Sequence, residues 1–123
     1  MNQSQQLTQA IDALADGMAG YIAIYKEDNG EEPYGAIDVS VCKATLTDYL
    51  QAVMDCGQSD ARIIKQVEAT VKELNILNEK CDYSLIETGE REEICDIIIN
   101  GARLAGYSFP GGHEDVTEQW RDW

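Results

Sequence analysis

The spacing of apolar residues near the amino end constrains the fold more than any other feature of the sequence. Apolar side chains recur there at alternating intervals of four and three positions, namely Leu7, Ile11, Leu14, Met18, Tyr21 or Ile22, and Tyr25. This is the repeat of a helix that buries one stripe of its surface. The spacing therefore predicts a long first helix over residues 5–26.

An acidic segment, residues 27–38, interrupts this repeat. It contains two glycines and a proline, which are typical of loops, and loops of about a dozen residues are often functional. Thr45, with Asp48 three residues later, resembles a capping box. We therefore expect a short second helix that begins at Thr45 and ends near Gly57.

Two longer helices are predicted in the second half of the chain. Ser59 or Asp60 can cap a third helix, which the apolar repeat extends to about Lys80. Thr88 can cap a fourth helix, whose first turn is rich in glutamate and which Gly106 ends. Both segments show the periodicity of amphipathic helices, so each is expected to bury one face.

The last ten residues, 114–123, align Val116, Trp120 and Trp123 on one helical face. This alignment predicts a short C-terminal helix that closes the fold. With no convincing strand elsewhere, the sequence predicts an all-α protein. We expect one domain over residues 1–123, built as a bundle of about four helices plus the C-terminal one.

Charge excludes several classes of partner. The chain has 23 Asp and Glu against 9 Lys and Arg, which gives a formal net charge of −14. Because nucleic acids and anionic membranes are recognised by basic surfaces, this balance disfavours direct binding to either. The longest weakly polar stretch, residues 18–25, is too short to span about 30 Å of hydrocarbon, so no transmembrane helix is expected.

Other features argue against secretion, cofactors and zinc. The amino terminus has no basic residue and no apolar core of the kind found in secretory signals, so we expect a cytoplasmic protein. The four cysteines form no CxxC pair, and His113 is the only histidine. We therefore expect buried thiols, no cofactor, and a loop or capping role for His113.

The first functional hypothesis is a non-enzymatic acidic protein that docks a basic protein partner, as an inhibitor or an immunity-like protein. In size, charge and helix content the chain is comparable to the small acidic proteins that inhibit bacterial nucleases, although it shares no motif with them. No catalytic residue is predicted. The predicted partner-binding residues are Glu27, Asp28, Glu31, Glu32, Tyr34, Asp38, Glu90, Glu93, Asp96, Trp120 and Trp123.

Two alternatives remain open at this stage. In one, carboxylates hold Mg²⁺ or Mn²⁺ for hydrolysis of a phosphate-containing small molecule; the candidate ligands are Asp12, Asp16, Glu90, Glu93 and Asp96. In the other, the protein is a structural homodimer that associates through the apolar stripe of the first helix, because the predicted chain has few other elements with which to cover that stripe.

Overall fold

The structure is a computed structural model that describes residues 2–123, and all its regular elements are helical. The helices are α1 (Gln3–Asn29), α2 (Ala36–Met54), α3 (Asp60–Lys80) and α4 (Thr88–Leu104), and a single 3-10 turn, Pro110–Gly112, follows them. The predicted all-α bundle of four helices is therefore confirmed. None of the helices described is long and apolar enough to cross a membrane.

Helix α1 is longer than predicted at both ends. Its start is fixed by a capping box, in which the Asn2 side chain accepts from the Gln5 amide at 2.8 Å and the Gln5 side chain accepts from the Asn2 amide at 3.1 Å. Its end is set by Gly30, which has a left-handed φ of 78°. Glu27 and Asp28, predicted to lie in a loop, belong to the last turn of this helix.

Helix α2 begins nine residues before the predicted start at Thr45. The Asp38 carboxylate accepts from the Gly35 amide at 2.9 Å and so caps the helix where the acidic segment ends. Sequence analysis missed this start because residues 36–44 carry apolar side chains on more than one face, which hides the helical repeat. The prediction of a short second helix is wrong.

Helices α3 and α4 agree with the sequence predictions. The Ser59 hydroxyl accepts from the Arg62 amide at 3.3 Å, so Ser59 is the cap of α3. Helix α4 begins at Thr88, one residue after its cap, and Gly106 takes up a φ of 97° just beyond its end. Such positive φ angles suit glycine and stop a helix.

One hydrophobic core lies between the four helices. Helix α1 packs against α2 and α4, and α3 packs against α2 and α4. At the centre, the buried Tyr49 hydroxyl donates to the Ile98 carbonyl at 2.7 Å and so ties α2 to α4. Gly101 lies beside this ring, because a Cβ added there would meet Tyr49 Cε2 at 3.0 Å and Leu50 Cδ2 at 2.8 Å.

Two glycine-to-alanine substitutions are expected to change stability in opposite directions. At Gly101 the added methyl group must push Tyr49 and Leu50 aside, so Gly101→Ala should lower the free energy of unfolding by about 1–3 kcal/mol. At Gly17, within α1, an added Cβ meets nothing within 4 Å, so Gly17→Ala should raise it by about 0.5–1 kcal/mol. Urea unfolding measures both, and a loss of stability in Gly17→Ala would contradict the placement of that residue.

The C-terminal segment is not the predicted helix. Within it only residues 116–120 form turns, and the amides of Trp120 and Arg121 donate to the Thr117 carbonyl. The Asn75 side chain then donates to the Trp120 carbonyl at 2.8 Å and accepts from the Asp122 amide at 3.2 Å. The Asp122 amide therefore does not donate to the Glu118 carbonyl, as it would in a continuing helix, and the segment lies against the bundle as a strap.

Asp115 holds this strap together. Its carboxylate accepts from the Thr117 amide at 3.1 Å and from Arg121 Nη2 at 3.0 Å. Partial burial favours the neutral acid, but hydrogen bonds from Thr117 and Arg121 outweigh it and lower the pKa of Asp115. Since the folded pKa is the lower one, this contribution to stability is present above the ordinary Asp pKa and is lost as the pH falls through the folded value.

The thiols are mostly part of the core, as predicted. Cys42, Cys56 and Cys81 are buried, Cys95 is half-buried, and none of the four forms a disulfide. Burial raises the pKa of Cys42 to about 12, which makes this thiol a poor nucleophile at neutral pH.

Candidate protein-binding site

The acidic segments of the sequence meet at one end of the bundle. Consecutive helices joined by short loops run antiparallel, so the ends of α1 and α3 lie beside the starts of α2 and α4. Tyr34 fixes the α1–α2 loop against α1: its ring lies 6.2 Å from that of Tyr21, and its hydroxyl donates to the Met18 carbonyl at 3.4 Å. We call this end, residues 26–38 and 79–90, the acidic pole.

The acidic pole concentrates the charge of the protein. It contains two lysines and nine carboxylates, so about a fifth of the chain carries half of the net charge of −14. The carboxylates are Glu27, Asp28, Glu31, Glu32, Asp38, Glu79, Asp82, Glu87 and Glu90. A cluster of one sign at one end of a small protein produces a field that attracts a basic partner.

The carboxylates of the acidic pole act on groups that are buried next to them. Burial raises the pKa of Cys81 to about 11, and the charge of Asp38 at the start of α2 contributes. Burial also raises the pKa of Tyr34, with contributions from Glu90 and Glu87 at the start of α4. The α1–α2 loop therefore lies close to α4.

Six of the nine carboxylates of the acidic pole fall into two groups. Asp38 and Glu90 are half-buried caps, since Asp38 accepts from the Gly35 amide at 2.9 Å and Glu90 Oε1 accepts from the Glu87 amide at 3.1 Å. The second group is exposed and makes no hydrogen bond or ion pair among the described residues; its members are Glu27, Asp28, Glu31 and Glu32. Only the first group has a structural role.

Glu27 and Asp28 are also placed unfavourably for the helix that carries them. They lie in the last turn of α1, where the carbonyl end of the helix dipole repels negative charge. Carboxylates at this end reduce helix stability by about 0.3–1 kcal/mol each. Residues that reduce the stability of the element that carries them are expected at functional positions.

The two capping carboxylates should be needed for stability, unlike the exposed ones. Asp38→Asn removes the charge that favours the start of α2 and weakens the bond to Gly35, and Glu90→Gln does the same at α4. We expect each substitution to lower the free energy of unfolding by about 0.5–1 kcal/mol at neutral pH. Thermal unfolding of each variant beside the parent protein at neutral pH checks this, and a variant as stable as the parent would contradict the capping role.

Exposed apolar side chains lie among the acidic residues. Tyr83 and Ile37 belong to the acidic pole and are 56% and 76% exposed. Ile24, which lies two residues before the first segment of the pole, is 62% exposed. Protein interfaces commonly combine apolar or aromatic anchors with a polar rim. The acidic pole has both components.

Tyr34, one of the predicted partner-binding residues, lies inside the fold. The side chain is buried, and its hydroxyl is bonded to the Met18 carbonyl. A ring of this size in a loop between two helices gains more by packing onto the core than by facing solvent. Tyr34 therefore anchors the loop that carries Glu31 and Glu32.

Glu93, Asp96, Trp120 and Trp123 lie outside the acidic pole. Glu93 and Asp96 are exposed beside the groove between α1 and α4. Trp120 and Trp123 pack against the core, where Asn75 of α3 holds the strap. The structure therefore does not bring these residues together with the acidic loop.

The candidate metal ligands are not assembled into a site. Asp12 pairs with Lys43 on α2 at 3.0 Å, while Asp16 is exposed elsewhere on α1. Among residues 2–123 no group of three or more His, Cys, Asp or Glu side chains could hold a metal ion. The geometry thus gives no support to the metal-dependent alternative. His113 is exposed in the turn that follows the 3-10 segment.

The apolar stripe of α1 is covered within the chain. Its buried members are Leu7, Ile11, Leu14, Met18 and Ile22. We expected too few elements to cover this stripe, but α2 and α4 both pack against α1. A homodimer would therefore have to use another surface.

Sequence reasoning missed three carboxylates of the acidic pole, Glu79, Asp82 and Glu87. Each follows or precedes a predicted helix end, and the alternation of antiparallel helices places those ends beside the acidic loop. If the predicted helices are taken to alternate in direction along the bundle, these three carboxylates fall at the same end as the acidic loop. The exposed Ile24 and Tyr83 had no comparable signal, because each lies outside an apolar repeat.

Comparisons with known proteins add no assignment: the chain matches no family model, no curated protein and no solved structure at a significant level.

Proposed function

We propose that this chain is a non-enzymatic binding protein that docks a positively charged protein through the acidic pole. The observation that carries the proposal is the group of four exposed carboxylates without a structural role, Glu27, Asp28, Glu31 and Glu32. Three exposed apolar side chains, Ile24, Ile37 and Tyr83, lie within the acidic pole or next to it in the chain, and an interface commonly combines such anchors with a polar rim.

The charge supports fast and selective association. Opposite potentials on two partners raise the rate of encounter at low salt, by factors of about 10–1,000 in favourable cases. The same field repels nucleic acids, so the protein would compete with them for a basic surface rather than bind them. A partner whose basic surface is catalytic or binds nucleic acid would be inhibited by this competition.

Affinity capture followed by titration tests the proposal. The immobilised full chain is exposed to a lysate of its source cell at low salt, and the retained proteins are eluted by raising the salt. We expect a basic protein to be retained; after purification, its dissociation constant should increase steadily with salt concentration in calorimetric titration. Retained proteins that are not basic, or an affinity that does not change with salt, would contradict the proposal.

A further inference from the structure

Three tyrosine rings lie together next to the acidic pole. The ring centroid of Tyr21 is 5.8 Å from that of Tyr25 and 6.2 Å from that of Tyr34. Tyr34 is buried, and its hydroxyl donates to the Met18 carbonyl, so its ring supports that of Tyr21 from the inner side. We call Tyr21, Tyr25 and Tyr34 the tyrosine cluster.

The outer part of the tyrosine cluster is accessible to a ligand. Tyr21 is 38% exposed and Tyr25 is half-buried. Gly17 lies one helical turn before Tyr21 on the same side of α1, and a Cβ added at Gly17 would meet nothing within 4 Å. Because no described side chain occupies the space over Gly17, the ring of Tyr21 can be approached from that side.

The cations of the chain itself stack on other rings. In the described part of the chain, Arg103 lies 4.9 Å from the ring centroid of Phe109, and Arg121 lies 5.9 Å from that of Trp123. No such contact involves the tyrosine cluster within residues 2–123. The faces of its rings are therefore free for a cation from outside.

Carboxylates at the start of α4 act on the tyrosine cluster. Helix α1 packs against α4, and the end of α1 that carries Tyr21 lies beside the start of α4. Partial burial raises the pKa of Tyr21, and the charges of Glu87 and Glu90 contribute. The same two carboxylates act on Tyr34. A cation at these rings would therefore be attracted by negative charge as well as by the aromatic faces.

Aromatic rings beside carboxylates favour a guanidinium group. A guanidinium is planar, so it can stack on a ring while its N–H groups donate to a carboxylate, whereas an ammonium group is more strongly hydrated and has no flat face. We propose that the tyrosine cluster binds an arginine side chain of the basic partner, with the guanidinium against Tyr21 and Tyr25 and its N–H groups towards Glu87. This inference rests on the proposed function, because it names the side chain that the partner presents.

Two labelled peptides of equal charge, hexa-arginine and hexa-lysine, test this site by fluorescence anisotropy with the full chain. The parent protein should bind hexa-arginine more tightly than hexa-lysine. Replacing Tyr21 and Tyr25 together by leucine keeps the net charge and should weaken hexa-arginine binding by about two- to fivefold, which removes the preference and leaves hexa-lysine binding nearly unchanged. The matched control is Tyr83→Leu, an exposed tyrosine of the acidic pole outside the cluster, which should keep the preference.

Nuclear magnetic resonance of the parent protein with hexa-arginine gives a test that does not depend on the folding of a variant. The ring protons of Tyr21 and Tyr25 should show nuclear Overhauser effects to the arginine δ-methylene groups, and those of Tyr83 should not. Circular dichroism establishes that the leucine variants keep their helices.

Four results would overturn the arginine site: binding of neither peptide, equal binding of both by the parent protein, a preference that survives in the double variant, or equal effects of the double variant and Tyr83→Leu. Failure of the proposed function has a different signature. Equal, salt-sensitive binding of both peptides would overturn the arginine site and still agree with the docking of a basic protein. Retention of no basic protein in the capture experiment would instead contradict the proposed function itself.

Discussion

Replacing Glu27, Asp28, Glu31 and Glu32 together with their amides is expected to weaken binding of the basic partner by about 30-fold or more at low salt. Each exposed charge pair contributes about 0.2–1 kcal/mol, and four losses from the middle of this range correspond to about 2 kcal/mol. The effect should appear mainly in the association rate, since the lost term is long-range attraction. Stopped-flow or surface plasmon resonance measurements over a salt series check it.

A matched control separates the position of the charges from their number. Asp16→Asn, Asp55→Asn, Glu73→Gln and Glu118→Gln change four exposed carboxylates outside the acidic pole and leave the same net charge of about −10. This variant should bind only a few-fold more weakly than the parent protein. Equal losses in both variants would mean that net charge alone, and not the acidic pole, determines binding.

The quadruple variant of the acidic pole should also remain folded. Its four side chains make no bond within the described chain, and removing two of the charges relieves repulsion at the carbonyl end of α1. We expect its free energy of unfolding to be unchanged or higher by up to about 1 kcal/mol. A binding loss with unchanged stability would assign these carboxylates to recognition.

The sequence predicted helices best where a local signal fixed their ends. Ser59 has a side chain that caps α3, and the apolar repeat after it lies on one face, so both ends of this helix were predictable. The start of α2 was not predictable. Thr45 and Asp48 have the spacing of a capping box but lie inside the helix, which is capped at its start by Asp38. In α2 the capping side chain is that of Asp38, the third helical residue, and it accepts from the amide of Gly35. This arrangement is harder to recognise in a sequence than a Ser or Thr directly before a helix.

The C-terminal segment shows a different limit. Val116, Trp120 and Trp123, which were aligned on one face of the predicted helix, all pack against the core. The segment is nevertheless not helical, because Asn75 on α3 bonds to its backbone. A contact that lies 45 residues away in sequence cannot be inferred from local periodicity, and a ten-residue helix has little stability of its own to oppose it.

The sequence predicted that the candidate site is acidic, but it did not predict which carboxylates belong to it. The acidic loop was singled out from charge alone, and its exposed glutamates do lie together at one end of the bundle. Sequence could not separate the capping carboxylates Asp38 and Glu90 from the exposed ones, because that difference depends on which backbone amide each one faces. The burial of Tyr34 likewise depends on the packing of α1 against the loop.

Asn78→Ala is expected to lower the free energy of unfolding by about 2–4 kcal/mol, the largest loss among the stability predictions. Asn78 is 1% exposed near the end of α3, and its Oδ1 accepts from the buried Ile86 amide at 2.9 Å. The substitution leaves that amide without an acceptor in the core, which costs about 1–3 kcal/mol, and it also opens a small cavity. Urea unfolding measures the loss.

The control is Asn100→Ala on α4, where the side chain is exposed and its amide oxygen accepts from Arg103 at 2.8 Å. Both substitutions gain the same helix propensity, so the difference between them isolates the buried hydrogen bond and the cavity; Asn100→Ala should change stability by no more than about 0.5 kcal/mol. Because Asn78 also holds the loop that carries Asp82 and Glu87 of the acidic pole, Asn78→Ala should weaken partner binding under conditions where it remains folded. Equal stability of the two variants would show that the loop does not depend on Asn78.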